Sequence, residues 1–168
     1  MFIKNRLAPL VVLTVLLLSA CGFQLRGSDG KANLPFKTIF VGVPENSPLG
    51  TELKRNLRGS GATTIVTDRQ AADAIVDITA DSRDKAILSL NSQGRVREYT
   101  LYYRVTFRVT DVPGKELLGP TQIVLKRDIS FNEAQVIAKE KEEEILYRDM
   151  QSDAVQQILR RMAAIQPS

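Results

Sequence analysis

Apolar and polar positions along this chain fall into blocks with different periods. Residues 7–20 are uncharged and include Leu10, Val11, Val12 and Leu13, then Val15, Leu16, Leu17 and Leu18. A helix across a bilayer core needs about 20 apolar residues. This run is shorter and follows Lys4 and Arg6, so it reads as the core of a cleaved secretory signal. Thr38, Ile39, Phe40, Val41 and Val43 predict a strand that Pro44 stops. Ser47 and Pro48 then supply a helix N-cap and a first-turn proline. Leu49, Leu53 and Leu57 form that helix's apolar stripe, with Lys54, Arg55 and Arg58 facing water and Gly59 and Gly61 ending it. Residues 63–66 predict a short strand.

Three longer strands follow a polar break at residues 68–73. In the first, Ala74, Val76, Ile78 and Ala80 share a face, and residues 81–85 interrupt the pattern on the way to Leu90. Asn91, Ser92, Gln93 and Gly94 signal a turn. The second strand alternates most cleanly: Tyr99, Leu101, Tyr103, Val105, Phe107 and Val109 point one way, and Thr100, Tyr102, Arg104, Thr106, Arg108 and Thr110 the other. Pro113 and Gly114 turn the chain again. In the third, Ile123, Leu125, Ile129 and Phe131 alternate with Gln122, Lys126, Asp128 and Ser130, while Val124 and Arg127 break the pattern. Residues 132–165 are helical, with Ile137, Leu146, Met150, Val155, Ile158, Leu159 and Met162 as the apolar face. Acidic residues in its first half and Arg160 and Arg161 in its last turns suit the helix dipole.

The expected fold is α+β: a two-layer sandwich, its mixed sheet of about four strands carrying two helices on one face. Residues 1–20 are the signal, 21–33 a lipidated N-terminus and tether, and 34–168 a single domain. The second face of the sheet has nothing left in the chain to cover it. Its outward residues include Tyr102, Arg104, Arg108 and Lys126. Such a face is either plain solvated sheet or a partner surface with Tyr102 as an anchor.

Charge narrows the function. The chain holds 23 basic and 19 acidic side chains, and losing Lys4 and Arg6 with the signal leaves 21 against 19. That balance disfavours nucleic-acid binding, which calls for a concentrated basic face. The sequence contains no histidine, which removes Ser-His-Asp and Cys-His catalysis and imidazole metal sites. Gly59, Ser60 and Gly61 read as a helix end rather than a phosphate loop. Glu142, Glu143 and Glu144 are consecutive on a helix and point apart, as solvated surface does. The chain reads as a non-enzyme without a cofactor.

The single cysteine, Cys21, follows Leu18, Ser19 and Ala20 at the end of the apolar run. This resembles the lipobox of bacterial lipoproteins, in which the thiol receives diacylglycerol and the new amino terminus a further acyl chain. The mature protein is then anchored to a membrane, not threaded through it.

Cys21, Gly22, Phe23, Gln24, Leu25, Arg26 and Gly27 resemble the mature start of the LptE family, the lipopolysaccharide-assembly lipoproteins of Gram-negative outer membranes. Gly94 through Glu98 and Tyr99, and Ala138 and Lys139 before acidic residues, agree with it. The resemblance implies a 1:1 complex with the outer-membrane barrel LptD, whose lumen the protein plugs, and a part in placing lipopolysaccharide at the cell surface. It implies an outer-membrane location on the periplasmic side, which Gly22 also favours, since aspartate there commonly marks inner-membrane retention. Barrel interiors are polar, so a domain with polar, tyrosine-bearing surfaces suits burial there. Arg95, Arg97 and Lys139 are the candidate contacts for anionic lipid A phosphates, guanidinium groups making bidentate contacts and the ammonium a point charge; the alternative is solvated surface charge. A lipoprotein adaptor of another envelope lipid-transport system, or a lipid-anchored hydrolase, are the rival readings.

Overall fold

The computed structural model describes residues 34–61 and 63–166, so the signal segment, Cys21 and the tether lie outside the described residues. The chain runs β1 (Thr38–Gly42), α1 (Pro48–Ser60), β2 (Thr64–Ile65), β3 (Ala74–Leu90), β4 (Val96–Thr110), β5 (Glu116–Ser130) and α2 (Val136–Ala163). Single 3-10 turns, Arg69–Ala71 and Glu133–Gln135, precede β3 and α2. Ser47 caps α1 as its position predicts, its hydroxyl accepting from the Gly50 N–H at 3.0 Å. Gly61 closes the same helix at φ 67°, a left-handed conformation that glycine adopts without strain.

The sheet has five strands rather than about four, in the order β2-β1-β3-β4-β5. β1 pairs in parallel with β2 and β3, whereas β3, β4 and β5 form an antiparallel meander. The short strand expected at residues 63–66 joins the sheet as β2, only two residues long. Both helices pack on one face. Leu49, Leu53 and Leu57 of α1 and Met150, Val155, Ile158 and Met162 of α2 bury against Ile39, Val76, Leu101, Val105, Phe107 and Ile123. At about 25 cal/mol per Å² of apolar surface, this layer is the main source of folding free energy.

β3 continues unbroken through residues 81–85, and a bulge explains how. Ile78 pairs with Phe107 but Ala80 pairs with Thr106, so Thr79 is an extra residue. Side-chain parity flips there. Ala80, expected beside Ile78 on the core face, is exposed opposite Thr106. Asp81, Arg83 and Lys85 turn to the helix face instead. There Arg83 lies 5.8 Å from the Tyr103 ring centroid and 5.3 Å from that of Tyr147. Lys85 reaches Glu143 at 2.7 Å and sits 5.0 Å from the Tyr99 ring. The Tyr147 hydroxyl donates to the Asp84 carbonyl at 2.8 Å, tying α2 to β3.

The apolar face assigned to the last helix needs one correction. Ile137 is 72% exposed, and burial on α2 begins only at Tyr147. The first turns of α2 are held by polar contacts instead, Glu143 to Lys85 and Lys139 to Ser130.

Candidate functional site

At an average rise of about 3.3 Å per residue, β3 and β4 form a hairpin roughly 50 Å long. Its closing turn is built by Asn91, whose side-chain oxygen accepts from the Gln93 and Arg95 N–H groups at 2.9 and 3.0 Å. Gly94 takes φ 76°, which the turn requires and a β-carbon would strain. The chain then leads Arg95 into an open cleft of about 210 Å³ lined by Asn91, Arg95, Val96, Phe131, Asn132 and Glu133.

The strand ladder brings the start of α2 to the same tip. Phe131 N–H donates to the Arg97 carbonyl at 2.8 Å, and the Phe131 ring meets Tyr99 edge-on at 5.4 Å. Asn132 caps the 3-10 turn through its side-chain oxygen, accepting from Ala134 N–H at 3.0 Å. Arg95 pairs with Glu133 at 3.4 Å. Lys139 donates to Ser130 Oγ at 2.9 Å and pairs with Glu142 at 2.8 Å, its side chain only 17% exposed. Arg97 is exposed and has no side-chain hydrogen bond or ion pair among the described residues. The three cations expected from sequence thus share one end of the domain, but two of them arrive with a carboxylate attached. The Lys139–Glu142 spacing is legible in a helix; the Arg95–Glu133 pair is not, since it depends on how β5 returns. Ile87, Leu88 and Leu90, at the tip end of β3, are each at least half exposed.

The face away from the helices carries the other expected set. Tyr102 pairs in register with Lys126 across β4 and β5. Arg104 packs over the Tyr102 ring at 4.7 Å and pairs with Asp84. Arg108 lies 3.6 Å from Asp77, which also takes Arg69 at 2.8 Å. This face alternates charges in cross-strand pairs and is less basic than its arginines suggest. Among the described residues no helix is long and apolar enough to cross a membrane, and no group of three His, Cys, Asp or Glu could hold a metal ion.

Residues 36–162 match the model of a protein family described as LptE, lipopolysaccharide-assembly. The chain belongs to the LptE family. A Yersinia enterocolitica relative named LPS-assembly lipoprotein LptE is 29% identical over 164 residues, 96% of this chain and 78% of the relative. A Yersinia pestis protein of the same name is 28% identical over the same coverage. Among solved structures, lipoprotein B from Nitrosomonas europaea is 42% identical with a TM-score of 0.73, covering 85% of this chain and 91% of its own. Rare lipoprotein B from Shewanella oneidensis is 30% identical with a TM-score of 0.67, covering 76% and 95%. Both share the open mixed sheet under two helices that this LptE-family chain adopts.

Proposed function

We propose that this LptE-family chain is an outer-membrane lipoprotein, anchored through acyl chains on Cys21 on the periplasmic side, that works in lipopolysaccharide assembly. It forms a 1:1 complex with the LptD β-barrel, standing in the lumen as a plug and turning Tyr102, Arg104, Arg108 and Lys126 toward the barrel wall. At the hairpin tip, Arg95, Arg97 and Lys139 take the phosphates of lipopolysaccharide. The match to the lipopolysaccharide-assembly family across residues 36–162 carries this reading. The gathering of Arg95 from the β3–β4 turn, Arg97 from the start of β4 and Lys139 from α2 at one end supports the ligand contact, because charge-assisted bonds from several cations can be made to one phosphate.

Copurification from mildly solubilised outer membranes tests the complex. An integral β-barrel recovered in equal amount is the expected result. Recovery of an inner-membrane transporter in its place would transfer the protein to a different lipid-transport system. Binding of purified lipopolysaccharide by the full protein, measured across ionic strength, tests the ligand contact. Affinity that falls as salt rises is expected, since salt screens exposed charges.

A further inference from the structure

Each paired cation at the tip is neutralised by a carboxylate from the chain just ahead of or within α2: Arg95 by Glu133, Lys139 by Glu142. A surface built only to attract anions would not supply its own. We infer that Glu133 and Glu142 are exchangeable counter-ions, holding these cations in the free protein and yielding them to a phosphate group borne by an amphiphile. The inference rests on the ligand contact proposed above and adds how that contact is made and released.

The geometry favours exchange over a permanent lock. The Arg95 and Glu133 side chains are 62% and 63% exposed, and Glu142 is 49% exposed. The exposed Arg95–Glu133 pair is weak and costs little to break. Lys139 is only 17% exposed, so its pair is the tighter of the two and yields through its half-exposed partner, Glu142. A phosphate carries up to two charges and three acceptor oxygens, against one charge on a carboxylate, so it competes well for the same donors. Lys139 has three donors and its second partner is Ser130 Oγ, which is fixed at the end of β5. When Glu142 leaves, Ser130 keeps the ammonium in place. Glu142 is therefore the group displaced. Arg97 has no carboxylate to displace and meets the phosphate first. The returning carboxylates then assist release, which a protein that hands its ligand onward requires. Anions no stronger than a carboxylate gain nothing by entering.

The test is a set of cycles on the full lipoprotein in a neutral detergent at low salt, with purified lipopolysaccharide as the probe. Glu142→Gln should tighten binding about two- to five-fold, the range expected for losing a competing surface pair. The gain should vanish in a Lys139→Gln background. Glu133→Gln should behave likewise against Arg95→Gln, and this second cycle uses only exposed side chains. Glu144→Gln changes net charge equally, but Glu144 is exposed and its side chain has no hydrogen bond or ion pair among the described residues. Equal tightening by Glu142→Gln and Glu144→Gln would reduce the effect to net charge and overturn the inference. So would an equal gain with dephosphorylated lipopolysaccharide. Inorganic phosphate alone separates the sources: a Glu142-dependent gain with lipopolysaccharide but not with the free ion supports the lipid-borne group, and the reverse overturns it. If Arg95→Gln, Arg97→Gln and Lys139→Gln all leave affinity unchanged, the ligand contact itself fails. If they weaken binding while both glutamate variants do nothing, only the exchange fails.

Discussion

Gln151 on α2 donates through Nε2 to Glu52 Oε2 on α1 at 2.7 Å. Ser152 Oγ fills the other carboxylate oxygen at 2.6 Å, and Arg83 Nη2 on β3 reaches Gln151 Oε1 at 3.3 Å. One carboxylate thus joins the two helices, and through Gln151 the arginine ties them to the sheet. Gln151 is 7% exposed, too buried for water to replace a lost partner freely. Glu52→Ala should lower the unfolding free energy by about 1–3 kcal/mol, because it leaves buried donors unmade. Denaturant titration of the full protein measures it. A loss below about 0.5 kcal/mol would make the bridge incidental.

Gly42 pairs with Asp77 across β1 and β3, and a β-carbon at Gly42 would collide with the Asp77 carboxylate. That carboxylate takes the Arg69 guanidinium at 3.1 and 2.8 Å, so it is not free to move. Gly42→Ala should cost about 1–3 kcal/mol through crowding. In an Asp77→Ala background the same substitution should cost clearly less, as coupled neighbours do not add. Additive losses would place the strain elsewhere.

Asp73 accepts from the Thr38 and Lys37 N–H groups at 2.9 and 3.1 Å. The backbone donor of Thr38 is the main reason its carboxyl is held below the usual range. A depressed carboxylate stabilises the fold above its unfolded value of about 4 and stops doing so as pH falls through the lower folded value. Melting temperature should therefore fall on acidification below about pH 4, and less steeply in Asp73→Asn. Parallel curves for the two proteins would remove Asp73 from the acid response.

Arg104 and Arg108 are partly exposed, and their ion pairs are of the kind that adds little stability. Arg104→Gln with Arg108→Gln should leave unfolding within about 0.5 kcal/mol yet reduce recovery of the proposed barrel partner. Full recovery with unchanged stability would leave this face as solvated sheet.

Cys21→Ala should abolish lipid labelling and processing ahead of residue 21. Labelled acyl chains followed through purification check it, and labelling that persists would end the lipoprotein assignment. Without acyl chains the variant keeps no lipid anchor of its own, so any copies left at the membrane should be those that copurify with an integral barrel.

Local rules in the sequence determined the elements. The strict alternation of β4, the Ser47 cap, the Gly61 closure and the four-residue leucine stripe of α1 each depend on neighbours within a few positions. Those neighbours are written next to each other, so the two-layer α+β plan was legible, as was the gathering of Arg95 and Lys139 once two antiparallel strands were assigned. The tertiary structure decided everything that turns on register between distant segments. The Thr79 bulge is fixed by pairing with β4, and no periodicity within β3 announces it. Arg83 looked like an interruption and became a cation between two rings because the bulge turned it toward α2. Ile137 looked like core and stayed in water, since an apolar residue on a helix is buried only where another element covers it. The same holds for Glu133: the sequence shows its charge, but its pairing with Arg95 depends on the path of β5, whereas the Lys139–Glu142 pair follows from helical spacing alone.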